Sequence, residues 1–212
     1  MTENINPYLP DLATVTKVIE ETPNIKSYQV VFNDPEKMKT FKYEPGQVGQ
    51  LSVFGVGEST FVINSPPTRM DYLQFSVMKV GEVTSVIHEL HEGDQIGVRA
   101  PLGNWFPYED MKGKKILFIG GGIGLAPLRT LILFMLDNRA DYGDITILYG
   151  SRTPPDLCYK DDLKDWEERP DVNLILTVDN EYPGWDKRTG FVPTVLNEIA
   201  PSPEGTIAIT CG

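Results

Sequence analysis

The sequence predicts two parts, an N-terminal antiparallel β-barrel and a C-terminal α/β domain with a parallel sheet. The first half holds short β-branched and aromatic segments between Gly- or Pro-containing turns, with little helix. The second half alternates apolar strands with helical segments, which is typical of βαβ units. A glycine-rich turn lies between a strand and a helix of that half. We place the two domains at residues 1–110 and 111–212.

Each predicted element follows from local composition. In the first half we expect strands at Thr14–Ile19, Ile25–Phe32, Gln50–Phe54, Thr60–Asn64, Tyr72–Val80 and Gln95–Arg99, and a helix at Thr84–Leu90. After the polar join at Pro107–Lys114 we expect strands at Lys115–Ile119, Asp144–Tyr149, Val172–Val178 and Thr206–Thr210, and helices at Ala126–Leu136, Asp161–Glu168 and Val192–Ile199. The last strand runs into the final residue, where ligands of a parallel sheet bind. We therefore expect the α/β domain to be truncated at its C-terminal end.

Composition narrows the classes of function. A net charge of −11 and a pI near 4.6 argue against nucleic acid as a partner. The apolar run Ile116–Leu136 is interrupted by glycines, a proline and an arginine, so we expect no membrane insertion. Residues 1–7 show no signal peptide, and two cysteines suit a reducing cytoplasm. His88 and His91 are too few for a metal site, so we predict none.

The glycine-rich turn carries the clearest chemistry. Glycines permit positive φ and close approach of the backbone to a ligand, and the N–H groups and dipole of the following helix favour a pyrophosphate. The alternative is a tight strand-to-helix turn without a ligand. Because the turn lies inside a βαβ pattern, we favour binding of a nicotinamide dinucleotide. The residues concerned are Gly120, Gly121, Gly122, Ile123, Gly124, Leu125, Ala126 and Pro127.

The form of this turn is the first point of a family resemblance. Gly122-x-Gly124-x-x-Pro127 after a β-rich domain resembles the ferredoxin–NADP reductase superfamily. Further segments resemble the same superfamily: Pro45–Gln47, Gly81–Ser85, Gly93–Asp94, Ala100–Gly103 and Cys211–Gly212. Three segments resemble the gamma (diaphorase) subunits of cytoplasmic nickel–iron hydrogenases or sulfhydrogenases, and the flavin subunits of anaerobic sulfite reductases and heterodisulfide-reductase-linked complexes: Asn6–Pro10, Val53–Glu58 and Leu148–Thr153.

The resemblance implies a function and alternatives to it. It implies a cytoplasmic flavoprotein that passes hydride from NAD(P)H to FAD rather than FMN, and then single electrons to iron–sulfur centres, or the reverse. The cofactor would be NAD(H) or NADP(H); the choice stays open, and the branch points to NAD(H). The partners would be iron–sulfur, hydrogenase or reductase subunits of a hetero-oligomeric complex, and a [2Fe–2S] cluster would lie only beyond Gly212. The alternatives are a free-standing NAD(P)H:flavin or acceptor reductase and a flavin-free scaffolding module.

The resemblance also implies site residues. For the flavin it implies Phe61, Val62, Ile63, Asn64, Ser65, Gly81, Val83, Thr84 and Ser85. Cys211 would lie near the nicotinamide and flavin rings as the catalytic residue. The alternatives are a barrel-core role for Phe61, helix capping by Thr84 and Ser85, and a buried strand-end thiol for Cys211. Gly150, Ser151 and Arg152 follow a strand end where a nucleotide ribose would lie, and Arg152 could accept a 2′-phosphate.

One departure from the family pattern concerns the flavin strand. The family commonly has Arg-x-Tyr-Ser, whereas this chain has Ser59-Thr60-Phe61-Val62. The arginine that would pair with a flavin phosphate is therefore missing, and Arg69 or Arg99 is a candidate replacement. Asp179 and Trp185 are candidates for the border of the nicotinamide site, with a structural role as the alternative for Trp185. For Cys158 we expect core or helix-start packing.

Overall fold

The fold is that of a computed structural model, which describes residue 6 and residues 8–212. The interpretation of residues 1–7 as lacking a signal peptide rests on residues 1–5 and 7, which lie outside the described residues. Pro7, within the Asn6–Pro10 motif, lies outside them as well.

The first part of the chain forms an antiparallel sheet, as predicted. Its strands, within residues 8–212, are β1 (Asp11–Thr22), β2 (Ile25–Phe32), β3 (Val48–Val53), β4 (Gly57–Val62), β5 (Leu73–Met78) and β6 (Gln95–Leu102), in the order β4-β3-β6-β1-β2-β5. The sheet curls so that its edges meet just beyond β4, where the Asn64 N–H donates to the Gln74 carbonyl at 2.9 Å. Side chains that alternate along the strands fill the interior, among them Leu51, Phe75 and Val98, each 0% exposed.

Two short helices interrupt this sheet. Helix α1 (Pro35–Thr40) was not predicted because it buries no residue, so no apolar periodicity marks it. Its start does carry a local signal: the Asp34 side chain accepts the Glu36 N–H, and Pro35 stands at the first helical position. Helix α2 (Glu82–Ile87) lies two residues earlier at its start than the predicted helix at Thr84–Leu90 and ends three residues sooner.

The second part is a parallel sheet with helices packed against it. Its strands, again within the described range, are β7 (Lys115–Gly121), β8 (Ile145–Ser151), β9 (Val172–Val178), β10 (Arg188–Thr189) and β11 (Thr206–Cys211), in the order β10-β9-β8-β7-β11. The helices are α3 (Leu125–Asp137), α4 (Lys160–Glu168) and α5 (Val192–Ile199). Every predicted element of this half is present. The two-residue strand β10 was missed because so short a segment carries no pattern.

The two parts of the chain pack against one another. Ile25 of the first sheet belongs to the apolar core of the second part, together with residues such as Phe118 and Leu128. The Tyr159 N–H, just before α4, donates to a buried Glu21 carboxylate oxygen of β1 at 2.7 Å. The carboxyl ends of β7, β8, β9 and β11 therefore open towards the first sheet, where a ligand can contact both parts.

Candidate functional site

The glycine turn at the end of β7 leads directly into α3. Gly122 has a φ of +51°, a left-handed conformation that favours glycine. Residues Gly122–Gly124 form a single 3-10 turn that continues into α3, and no side chain of the described residues caps its start. Pro127 lies in the first turn of α3, where a proline costs no hydrogen bond. The Leu125 N–H bonds within the turn, and the uncapped start is of the kind at which backbone N–H groups can bind an anion.

The glycines of this turn have different surroundings. A Cβ on Gly124 would overlap the Cys211 carbonyl and the Gly212 backbone, so Gly124 allows α3 and β11 to pack closely. A Cβ on Gly122 would meet no atom within 4 Å. Gly122 therefore faces open space at the position where a ligand phosphate would approach.

The side chain of Tyr149 in β8 is hydrogen-bonded to the glycine turn. Its hydroxyl donates to the Gly122 carbonyl at 3.0 Å and accepts the Cys158 N–H at 3.1 Å. Burial of the Tyr149 ring raises the pKa of its hydroxyl well above the ordinary value, so the group stays protonated as a donor. Sequence patterns gave no sign of this contact, because it joins residues on neighbouring strands.

A cavity of about 640 Å³ lies at the carboxyl end of the parallel sheet. It brings together predicted residues of the turn (Gly120, Gly121, Gly122, Ile123 and Gly124), the end of β8 (Gly150, Ser151 and Arg152), Asp179 and Cys211. The first sheet contributes Thr22, Asn24, Ile25 and Met78, which sequence reasoning did not identify. Its volume suits a cofactor or small-molecule ligand.

The residues at the end of β8 differ in whether their polar groups already have partners. Ser151 is buried and its Oγ donates to the Thr153 carbonyl at 2.7 Å, so its hydroxyl is already engaged. Arg152 is exposed and forms no ion pair with any described residue. The Asp179 N–H donates to the Ser151 carbonyl at 3.1 Å, which fixes Asp179 beside Arg152 at the cavity.

The two cysteines lie in different environments. Cys211 pairs with Gly120 in the register of β11 and β7, is partly exposed and lines the cavity. Cys158 is fully buried in the core, as predicted, and burial raises the pKa of its thiol to about 11. Only Cys211 is therefore placed to contact a ligand in the cavity.

One aromatic side chain of the cavity was missed. Phe191, just before α5, is 60% exposed yet lines the cavity together with Val192 and Pro193. The available signal in the sequence was an aromatic residue directly after Gly190, before the predicted helix. Trp185, in contrast, donates its indole N–H to the Arg188 carbonyl at 2.8 Å and is not among the residues that line the cavity.

The predicted flavin residues of β4 divide between two faces. Phe61 stands opposite Gly49, and Ser59 stands opposite the fully buried Leu51, so Phe61 turns towards the barrel interior, against whose core it packs. Val62 points the other way and packs against the core of the α/β part.

The groups that follow β4 are engaged within the protein. The Ile63 N–H donates to the Gln47 carbonyl at 3.0 Å, and the carbonyls of Asn64 and Ser65 accept hydrogen bonds from helix α3. Asn64 and Ser65 are also buried. This segment joins the two parts of the molecule, and these backbone groups are not free for a flavin.

Helix α2 and its N-cap contain the other predicted flavin residues, Gly81 at the cap and Val83, Thr84 and Ser85 in the helix. The Thr84 hydroxyl accepts the N–H groups of Val80 and Gly81 at 2.9 and 2.8 Å, and it donates to the Gly81 carbonyl at 3.0 Å. Thr84 therefore caps its own helix. Val83 lies against Gly57 of β4, since a Cβ on Gly57 would meet its side chain at 3.2 Å.

The two candidate replacement arginines lie in different places. Arg69 pairs with Asp137 at the end of α3, and its guanidinium is engaged there.

Arg99 of β6 stands opposite Gln50, which stands opposite Thr60 of β4, so all three share the outer face of the barrel. There Arg99 donates to Glu58, next to Gly57, at 2.9 Å. The buried Arg99 Nε and Gln50 Oε1 have no partner among the described residues. Such orphaned polar atoms fit a polar ligand lying over this face.

Neither histidine belongs to a metal site in the part of the chain that is described. His88 Nε2 lies 2.8 Å from the Val77 carbonyl, whereas His91 is exposed beside Asp94. No group of three potential ligands that could hold a metal ion occurs among residues 8–212. None of the helices in that range combines the length and apolar character that a bilayer crossing requires.

Comparison with known proteins defines the class of this chain. Residues 118–212 match the family model described as Oxidoreductase NAD-binding domain. The structure of the Amycolatopsis cytochrome P450 reductase GcoB superposes with a TM-score of 0.77 at 25% identity, covering 95% of this chain and 61% of that one. A ferredoxin NADP+ reductase from Neisseria gonorrhoeae, at 18% identity and a TM-score of 0.77, shares the fold over 94% of this chain and 83% of that one. The class is that of NAD(P)H-dependent oxidoreductases with the ferredoxin–NADP reductase fold.

Sequence relatives define the family more narrowly. The "Sulfhydrogenase 1 subunit gamma" of Pyrococcus furiosus is 36% identical over 215 residues, which cover 100% of this chain and 73% of that subunit. The "Probable dihydroorotate dehydrogenase B (NAD(+)), electron transfer subunit" of Methanocaldococcus jannaschii is 33% identical over 204 residues, covering 96% and 68%. The chain therefore belongs to the family of the sulfhydrogenase gamma subunits. Both of these relatives are named as subunits.

Proposed function

We propose that this chain is the electron-transfer subunit of a cytoplasmic redox complex, and that it passes reducing equivalents from NADH through FAD to iron–sulfur centres of partner subunits. The observation that carries the proposal is the position of the glycine turn, which opens into a cavity bounded by both sheets. A single ligand there can contact the α/β part and the barrel together. The division at residues 110 and 111 and a [2Fe–2S] cluster beyond Gly212 both stay predictions.

In this proposal the α/β part binds and orients the dinucleotide. The open Gly122 and the uncapped start of α3 receive the pyrophosphate, while Tyr149 holds the Gly122 carbonyl away from it. Phe191 offers an exposed ring for stacking on a base, and Cys211 borders the cavity beside Gly120. These groups position the nicotinamide, and no acid or base is required of the protein for hydride transfer.

The charge around the end of β8 favours NADH over NADPH. Asp156 and Asp179 line the cavity near Arg152, so a 2′-phosphate would meet two carboxylates and one arginine. The Thr153 hydroxyl donates to the Asp156 carboxylate at 2.7 Å and fixes it at this edge. Carboxylates that line the same cavity disfavour a further phosphate there, because the charges repel.

The barrel would hold the flavin through its own set of groups. When bound, a flavin takes up hydride and gives electrons singly. Arg99 is the cation of the outer face, with Glu58 as its counter-ion in the free protein, and it would replace the strand arginine of the family on the flavin phosphates. Ser85 and the backbone of β4 are further candidate contacts, whereas Thr84 acts as a helix cap.

The test is an anaerobic titration of the purified chain with NADH and with NADPH, followed by flavin absorbance. We expect FAD to copurify or to bind on addition, and NADH to bleach it at a concentration at least tenfold lower than NADPH. Arg99→Gln should weaken FAD binding at least about tenfold, the loss typical of a charged hydrogen bond, while Arg69→Gln should not. A chain that binds neither FAD nor NADH would contradict the proposal and favour a scaffolding role. Full reductase activity without partner subunits would favour a free-standing reductase.

A further inference from the structure

We propose that Arg129 and Thr130 are positioning residues that align the dinucleotide with the flavin. They join helix α3 to residues 64 and 65. Helix α3 begins at the glycine turn, and residues 64 and 65 directly follow β4, the predicted flavin strand. The inference rests on the proposed function, because it concerns the relative placement of the two cofactors.

Arg129 is held on all sides at the junction of the two parts. It is 8% exposed, and its Nη1 donates to the Asn64 carbonyl at 2.9 Å. Its Nε and Nη2 donate to the two carboxylate oxygens of Asp162 in α4, the latter at 3.3 Å. The Cζ atom lies 5.0 Å from the centre of the Tyr159 ring. One side chain thereby connects α3, α4 and the segment after β4.

Thr130 makes a second connection to the same segment. It is fully buried, and its Oγ1 donates to the Ser65 carbonyl at 2.8 Å. The same carbonyl accepts the Tyr43 hydroxyl at 2.8 Å from the barrel side. Two consecutive carbonyls are therefore bound by two consecutive residues of α3, which fixes both the distance and the rotation of the segment against the helix.

The position of these residues on α3 links them to the chemistry. Arg129 is five residues beyond Gly124, about 7.5 Å along a helix at 1.5 Å per residue. A helical turn transmits such a constraint rigidly. Hydride transfer needs reacting atoms about 3–3.5 Å apart, and a misplacement of about 1 Å can lower the rate about 100-fold. A contact that fixes α3 against residues 64 and 65 thus acts on the rate of hydride transfer more than on the affinity for the dinucleotide.

The chain contains a matched control for this role. Arg69 and Asp137 also join the barrel to α3, but at the opposite end of that helix. The Arg69 side chain is 51% exposed, against 10% for Arg129. If Arg129 acts only by holding the two parts together, the same substitution in either pair should have the same kind of effect.

The experiment compares Arg129→Lys, Thr130→Val and Arg69→Lys in the full FAD-loaded chain. Lysine keeps the charge but loses the two-pronged contact, and valine replaces the hydroxyl with a group of similar shape. We expect the rate of flavin reduction at saturating NADH to fall at least tenfold for Arg129→Lys and severalfold for Thr130→Val. The Kd for NADH, from fluorescence quenching, should change less than twofold, while the visible circular dichroism of the bound flavin should change. Arg69→Lys should leave the rate, the Kd and the dichroism as in the wild type.

Three results would overturn the inference: rates within twofold of wild type for both α3 variants, an equal loss for Arg69→Lys, or a loss that appears in the Kd alone. Should Arg129→Lys fail to fold, Thr130→Val decides the outcome by the same measurements. A wild-type chain that NADH does not reduce would instead refute the proposed function, so the two failures are distinguishable.

Discussion

At the scale of single residues, Gly122 and Gly124 serve different purposes although they stand two positions apart. Gly124 is a glycine because the end of β11 lies where its side chain would be. Gly122 is a glycine because its φ is +51°, and it faces open space. The Gly-x-Gly pattern alone does not separate these reasons. Only the neighbours of each position do, and they identify Gly122 as the position to probe for ligand binding.

We predict that Gly122→Val abolishes NAD(P)H-driven dye reduction while FAD stays bound. A branched side chain here fills the approach to the turn and sits in a strained left-handed conformation, at a cost of about 1–2 kcal/mol. Gly113→Val is the matched control, because Gly113 also has positive φ, at +71°, and open surroundings but does not line the cavity. The measurement is the Kd for NADH with the flavin content of each variant. Unchanged NADH binding in Gly122→Val would refute the assignment of the turn.

At the scale of elements, α3 and β11 form one packed unit with the glycine turn between them. Cys211 pairs with Gly120 of β7, and the carbonyl of Cys211 lies against Gly124 at the start of α3. The sequence shows a strand, a turn and a helix here, and a further strand about 80 residues later. That the later strand closes over the turn is a long-range contact, invisible to local periodicity.

We predict that Gly124→Ala destabilises the protein by roughly 1–3 kcal/mol, the usual range for an overpacked core position. The new methyl group would overlap the backbone of β11, and backbone cannot move aside as a flexible side chain can. Gly81→Ala is the control, since Gly81 is extended and its Cβ would meet nothing within 4 Å. Urea denaturation followed by circular dichroism measures both. An unchanged midpoint in Gly124→Ala would show that β11 does not pack on the turn in solution.

At the scale of the whole molecule, the barrel and the α/β part are joined by buried polar contacts as well as by apolar packing. Glu21, Asn64, Arg129 and Tyr159 meet between the sheets, and each makes hydrogen bonds across the junction. The ion pair of Arg69 and Asp137 also joins the two parts, at a more exposed position. Buried polar contacts of this kind specify one arrangement of two parts more narrowly than apolar surfaces do.

The ion pair of Arg69 and Asp137 gives a prediction for pH dependence. Burial acts to raise the pKa of the Asp137 carboxyl, but hydrogen bonds from Arg69 and Thr68 outweigh it and hold the pKa below its ordinary value of 3.8. A carboxyl with a lowered pKa contributes stability above pH 3.8, and this contribution is lost as the pH falls through the folded-state pKa. We expect Asp137→Asn to lower stability at pH 7 and to flatten its decline below about pH 4.

Thermal unfolding between pH 7 and pH 3 measures this dependence. Asp165→Asn is the control, because Asp165 is exposed on α4 and forms no ion pair with a described residue. Equal pH profiles for the two variants would mean that the Asp137 pair contributes nothing to the stability of the junction.

The sequence by itself determined the elements that repeat a local pattern, and with them the class of fold. Alternating residues in β2 and the apolar run of β7 are local properties, and so are the Gly-x-Gly-x-x-Pro turn and its position before a helix. The same turn predicts the nucleotide site, because the backbone groups that would bind a pyrophosphate belong to consecutive residues. Helix α1 was not predicted because none of its residues is buried, and β10 was not predicted because it is only two residues long.

Only the tertiary structure decided which side chains meet. Phe61 faces the barrel core, Thr84 caps its own helix, and the carbonyls after β4 are bound by α3, whereas the family resemblance implied flavin contacts for these residues with core packing and capping as alternatives. Phe191 lines the cavity, Tyr149 bonds the glycine turn, and Arg99 pairs with Glu58 on the outer face of the barrel. No local pattern shows these contacts. The physical reason is that strand register and the packing of the two parts bring together residues that are far apart in the chain. These contacts depend on the positions of all the elements at once.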